Sequence, residues 1–278
     1  MPLTDAHLTE VAERVAEVPG VVGIVLGGSR ARGAHTPESD TDVGLYYRSP
    51  LDVDGLDRLA KSIGGPASMV TAPGGWGPWV DGGGWLRIDG QAVDWIYRDF
   101  DRVLAVRADT ERGKFGFHVQ SGHPLGFPDF AYVGELALGR ILVDHTGELT
   151  EVQSRMREYP PRLSEALVAA LWEADFLIAM ARKAVSRADS AYVAGCLFRV
   201  VGVCAHALHG AAREWLINEK GAVAAAAALP GAPERFRERV DQTFACLSGD
   251  PLQLTAAIDI AADLVLDTAD ACALMIRY

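Results

Sequence analysis

The chain has 278 residues, 49% hydrophobic and 23% charged, a composition that excludes a disordered protein and gives enough length for one large domain or two small ones; two is the expectation. A formal net charge of -11 repels phosphate backbones and disfavours a long nucleic acid as partner. The start, Met1 to Glu10, lacks the basic residues and apolar run of a signal peptide, and no later stretch reads as the roughly 18 apolar residues of a membrane span, so a cytoplasmic protein without membrane contact is expected.

The first predicted element is a helix over Thr4 to Val18, with Leu8, Val11 and Val15 on one face and Gly20 at its exit. A buried strand, Val21 to Leu26, follows, and Gly27-Gly28-Ser29 turns the chain into a short helix. Thr41 to Tyr47 reads as the next strand, and a helix is expected around Val53 to Ile63. Residues 64 to 84, rich in Gly, Pro and Trp, suit an irregular loop bordering a site. Trp85 to Ile88 and Gln91 to Tyr97 flank Asp89-Gly90, a dipeptide that accepts the positive φ angles of a tight hairpin. From Pro161 onward apolar residues recur at helical spacing, with breaks near Asp189, Gly210, Pro230 and Gly249-Asp250-Pro251, which gives four or five helices. The alanine run Ala222 to Ala228 is one of them, since alanine is the strongest helix former.

The fold class is therefore α+β: a mixed β-sheet domain flanked by helices over residues 1–150, and a helical bundle over residues 151–278. Four cysteines, Cys196, Cys204, Cys246 and Cys272, all fall in helical segments without a C-x-x-C pair and read as reduced, buried side chains.

The informative stretch runs from Gly27 to Tyr47, where a glycine-rich turn after a buried strand precedes two aspartates spaced i, i+2 at the head of the next strand. Side chains two apart on a strand share a face, so Asp40 and Asp42 project together, and their charges call for a cation between them. Mg²⁺, bound by carboxylates and phosphate oxygens, fills that role. The turn supplies the other half, because glycines admit close approach of backbone N–H groups and the following helix directs its positive end at an anion. A third carboxylate, Asp94, sits mid-strand among apolar neighbours, where a metal or a hydrogen-bond partner is needed to offset its burial. In a two-metal scheme one ion acidifies an acceptor hydroxyl and the other binds the triphosphate, with Asp94 as bridging ligand or proton acceptor.

Singly these residues have plainer roles: glycines end strands, Ser29 can cap a helix, and Asp40 and Asp42 can lie in a polar turn. Jointly they resemble the polymerase-β-type nucleotidyltransferase superfamily over residues 21 to 98. Small-molecule members, such as the aminoglycoside and lincosamide nucleotidyltransferases, append a helical bundle to the mixed sheet. The resemblance implies an enzyme in which Asp40, Asp42 and Asp94 are catalytic and metal-binding and Gly27, Gly28, Ser29, Arg30 and Lys220 hold the nucleotide. Mg²⁺ and ATP, or another nucleoside triphosphate, are implied; the acceptor is not carried over, and AMP moved to a hydroxyl of a small, aminoglycoside-like molecule is expected because an acidic cleft suits a cationic acceptor. Glu173 and Asp175 are weaker candidates for a general base. The alternative is a nucleotide-binding regulator or an antitoxin-like transferase acting on a protein; the oligomeric state is open, a homodimer included.

Three near matches are set aside. Gly28 to Gly33 has P-loop glycine spacing, but Ala34-His35 replaces the Lys-Ser/Thr that neutralises phosphate. Gly27 to Ala31 approximates a hydrolase nucleophile elbow with Ala31 in place of its last glycine, and only one strand precedes it. Arg199 and His206 resemble the R-x4–6-H motif of HEPN-type ribonucleases, but Val200 takes the usual polar position and a packed core histidine explains His206 better. His118 and His123 are placed in a Gly/Pro-rich loop.

Overall fold

The computed structural model describes residues 3–33 and 39–276; Ala34-His35, on which the P-loop comparison rests, lie outside them. The chain divides into two compact units, Met1–Asp109 with Gly116–Glu158, and Thr110–Phe115 with Tyr159–Tyr278.

In chain order the first unit contains α1 (Asp5–Ala16), β1 (Val21–Leu26), α2 (Gly28–Ala31), β2 (Thr41–Tyr47), α3 (Val53–Gly64), β3 (Gly83–Ile88), β4 (Gln91–Asp99) and α4 (Phe100–Thr110). The hairpin of β5 (Phe117–Gln120) and β6 (His123–Pro128), α5 (Ala131–Leu138), β7 (Arg140–Asp144) and α6 (Glu148–Met156) follow. Helix α1 starts where the Thr4 hydroxyl accepts the His7 N–H, and α3 where the Asp52 carboxylate accepts the Gly55 N–H. Asp89 and Gly90 both take positive φ, as the tight β3–β4 turn demands.

Five strands form a mixed sheet in the order β3-β4-β2-β1-β7, with β2 and β4 parallel and the other neighbours antiparallel. The mixed sheet expected from the sequence is present. Its edge strand β7 lies in the segment after residue 98, where the pattern gave no expectation. One face is the core: Leu8, Val11 and Val15 of α1 and Leu56 and Ala60 of α3 join Ile24, Val43, Leu45, Val93 and Trp95 from the strands. Alternation along each strand then turns Asp42, Asp94 and Trp85 to the opposite face. Further along that face, Arg98 of β4 is 4% exposed and forms a bidentate ion pair with Glu135 of α5 at 2.6 and 2.8 Å. This pins α5 over the end of the strands remote from Asp42 and Asp94.

Two expectations for this unit change. His118 and His123 stand in the β5–β6 hairpin, not in a loop: His118 is the register partner of Phe127 and both rings stack on Trp79, while Phe117 meets Phe130 edge-on. The stretch 64–84 is irregular as expected, yet well fixed: Val70 bridges to Gly84, and the Asp81 carboxylate accepts from the Tyr47 hydroxyl and the Gly74 N–H, each at 2.8 Å.

The second unit consists of α7 (Pro161–Ala169), α8 (Leu171–Ala184), a short 3₁₀ turn (Val185–Arg187), α9 (Ser190–Ala212), α10 (Ala222–Ala227), α11 (Phe236–Ala245) and α12 (Pro251–Ile276). Among the described residues it has six α-helices where the sequence suggested four or five. The extra break, at Ala170, keeps helical-side angles (φ -69°, ψ -5°) and so needs no Gly or Pro to mark it. Helix α9 is the centre of the bundle, with Val193, Leu197, Val200, Cys204 and Leu208 buried against Ile258, Leu264 and Val265 of α12 and Ala174 and Ile178 of α8. By length and composition α9 could cross a membrane, contrary to the sequence-based expectation, but most of its apolar surface is covered by the bundle, as in a core helix. Cys204 and Cys272 are buried free thiols whose pKa burial pushes up to about 12, so both are protonated and unreactive at neutral pH.

Candidate active site

The site starts at the end of β1. Gly27 is still extended, and its N–H donates to the Asp42 carbonyl at 2.8 Å, carrying the β1–β2 ladder one residue past the strand. Gly28 then takes φ +62°, which a side chain rarely adopts, and a Cβ there would run into the Asp42 carboxylate. The backbone angle favours glycine, and any side chain there would have to push the Asp42 carboxylate aside. The chain turns immediately into α2, whose first N–H groups, those of Gly28, Ser29 and Arg30, have no acceptor within so short a helix.

Asp42 lies in β2, and its register partner in the parallel strand β4 is Asp94. Register partners share a face, so the two carboxylates stand side by side on the side of the sheet away from the core. Asp40 precedes the strand and is exposed. Asp94 is half-buried, and its pKa is pushed up to about 6, first by burial and then by the negative charges of Asp42 and Asp40. The cluster thus carries negative charge that the surrounding side chains leave under-compensated at Asp94. As placed, no three histidine, cysteine or acidic side chains among the described residues close tightly enough to enclose an ion on their own. Two carboxylates side by side are a partial donor set for a hard cation that takes its remaining ligands from phosphate and water, as Mg²⁺ commonly does.

Arg30 is already engaged. Its guanidinium donates to the Leu3 carbonyl (2.7 Å) and the Thr41 hydroxyl (2.9 Å), bracing α2 against the start of β2, and any phosphate contact would compete with those bonds. Lys220 belongs to the second unit, in the turn before α10, where its N–H donates to the Asn218 side chain at 2.9 Å. Glu173 pairs with Arg199 at 2.7 Å, while Asp175 is exposed on α8. His206 is 3% exposed, and burial lowers its pKa to about 3, as for a neutral packed histidine.

Sequence reasoning missed the β3 wall of the site, although Ser68 comes from the loop expected to border it. A cavity of about 530 Å³ is lined by Asp40 and Asp94 together with Ser68, Trp85, Arg87 and Ala92. Trp85 is the antiparallel register partner of Asp94, and Arg87 that of Ala92. The signal was available: once Asp89-Gly90 fixes the hairpin, alternation of Trp85 and Arg87 with Leu86 and Ile88 puts the first pair on the face of Asp94.

Residues 7–65 match the family model described as a nucleotidyltransferase domain. That segment holds the turn, Asp40 and Asp42, and it defines the class of the first unit: a nucleotidyltransferase domain, and with it a nucleotidyltransferase enzyme. Among solved structures, the chain is similar to a nucleotidyltransferase-like protein from Exiguobacterium sibiricum 255-15. The two are 13% identical with a TM-score of 0.42, over 98% of this chain and 77% of that one. No curated protein matches the chain.

Proposed function

We infer that the protein moves a nucleoside monophosphate, AMP from ATP, onto a hydroxyl of a small molecule such as an aminoglycoside-like antibiotic and releases pyrophosphate. The observation that carries this reading is the in-register pair Asp42–Asp94 beside the side-chain-free turn at Gly28. Asp42 and Asp94, with Asp40, would hold Mg²⁺, which when bound supplies positive charge to the triphosphate and acidity to the acceptor hydroxyl.

The chain's own groups do the rest. The N–H groups of Gly28 and Ser29 bind phosphate oxygens at the turn, where the cation would offset the charge of the Asp42 carboxylate that lies against Gly28. The acceptor oxygen attacks the α-phosphorus, the bond from that phosphorus to the bridging oxygen of the β-phosphate breaks, and pyrophosphate leaves. Asp94, which stands on the β3 side of Asp42, takes the hydroxyl proton.

The test is pyrophosphate release from ATP with Mg²⁺ across a panel of hydroxylated small molecules, in wild type and Asp42→Asn. Acceptor-dependent release lost in the variant supports the reading. Release that depends on no small molecule and requires an added protein would move the activity to a protein acceptor.

A further inference from the structure

We propose that Trp85, backed by Trp76, is the acceptor-side platform of this site, and that the acceptor is a small molecule presenting a ring face beside its reactive hydroxyl. The inference rests on the nucleotidyl-transfer reading and adds to it which residue receives the acceptor and what shape it must have.

Position is the first argument. Across the sheet the order is the Gly27-Gly28-Ser29 turn at the end of β1, then Asp42 on β2, Asp94 on β4 and Trp85 on β3. Displacement at phosphorus puts the attacking and leaving oxygens roughly in line on opposite sides. With the β- and γ-phosphates at the turn, the incoming hydroxyl arrives from the far side of Asp94, the side of β3, where Trp85 lines the same cavity as Asp94.

Construction is the second. Trp85 is 69% exposed, and one ring face is stacked on Trp76 with centroids 4.5 Å apart and planes 20° apart. Trp76 is itself fixed by its backbone: its N–H donates to the Asp81 carbonyl at 2.9 Å, and its carbonyl accepts from the Gln120 side chain at 2.6 Å. Gly83 completes the arrangement, because a Cβ there would strike the Trp95 carbonyl and press on the Trp76 ring. A platform so held is ordered before a ligand arrives, which lowers the entropic cost of binding. Its free face suits the flat side of a sugar, a cyclitol or an aromatic ring, and the π-face attracts an amine carried on that ring. An acyclic polyol offers neither.

The experiment uses the full chain as wild type, Trp85→Ala and Trp85→Phe. Calorimetry with Mg²⁺ and α,β-methylene ATP reads the nucleotide side. With that complex formed, ligand-observed NMR titration reads three probes: an aminated pyranoside, a phenol and the acyclic polyol sorbitol. We expect the analogue to bind all three proteins equally. At least one ring compound should bind wild type and Trp85→Phe and weaken about tenfold or more in Trp85→Ala, with sorbitol silent throughout. Failure of both ring compounds to bind wild type, equal ring binding in Trp85→Ala, or weakened nucleotide binding in that variant would overturn the proposal. Failure of the analogue to bind wild type would instead sink the transfer reading, whatever the ring compounds do.

Discussion

Asp42 and Asp94 are register partners across the parallel pair β2–β4, each on the strand face turned away from the core. Asp94 shows the consequence in its raised pKa. Two neighbouring carboxylates of this kind oppose folding in the absence of a cation and serve function in its presence. Asp94→Asn should therefore stabilise protein freed of divalent metal by on the order of 1 kcal/mol, seen as a higher thermal midpoint, while reducing transfer by about a hundredfold or more. Thermal unfolding in chelator, paired with a pyrophosphate assay, checks both; a variant that is less stable and fully active would contradict the pairing.

Gly27 and Gly28 make opposite predictions although they are adjacent. A Cβ at Gly27 would meet Asp42 at no closer than 3.7 Å, in an extended backbone that any residue adopts. At Gly28 it would strike the Asp42 carboxylate from a left-handed conformation. Gly27→Ala should be within about 0.5 kcal/mol of wild type in stability, whereas Gly28→Ala should lose about 1–3 kcal/mol and nucleotide affinity with it. Urea unfolding of the two variants side by side makes the comparison.

The pair of buried Arg98 and partly exposed Glu135 fixes α5 to the sheet. Glu135→Gln leaves the Arg98 guanidinium buried without a countercharge and should cost about 3–5 kcal/mol, while the double change Arg98→Met, Glu135→Leu should recover most of it. Equal destabilisation by the single and double changes in a denaturant series would mean that packing, not charge, is what the pair provides.

In the second unit, burial lowers the pKa of His206 to about 3 and that of His209 in the same direction. The unfolded chain takes up these protons below pH 6.5 and the folded chain does not, so stability falls as pH drops from 6.5 toward 3. His206 contributes a slope approaching about 1.4 kcal/mol per pH unit inside that window, and His209 acts in the same direction. His206→Leu should show a shallower loss of stability between pH 6 and 4 than wild type, and parallel curves would refute the assignment.

The amino-acid pattern reveals most of the sheet and the centre of the site. Strands β1 and β2, helices α1 and α3 and the Asp89-Gly90 hairpin follow from alternation, caps and turn residues, all of them local signals. Edge strand β7 did not show because it is short and finds its partner, β1, far back along the chain, and the β5–β6 hairpin did not because its strands are short and Pro124, Gly126 and Pro128 interrupt the alternation. The break at Ala170 was hidden since no Gly or Pro marks it. Asp40, Asp42 and Asp94 were readable as a group of acids. The pairing of Asp42 with Asp94, and of Asp94 with Trp85, is a matter of strand register, which the sequence leaves open until the strands are set side by side. The engagement of Arg30 by Leu3 and Thr41 was unreadable for the same reason.

The central claim is that the acids beside the Gly28 turn form a metal-dependent nucleotide site, and calorimetric titration of each nucleoside triphosphate with and without Mg²⁺ tests it most directly. The account predicts binding in wild type that needs Mg²⁺, favours ATP, and is lost in the double variant Asp40→Asn, Asp42→Asn while the fold is retained. Nucleotide binding that is unchanged in that variant or indifferent to Mg²⁺, or no binding of any nucleotide to wild type, would contradict it.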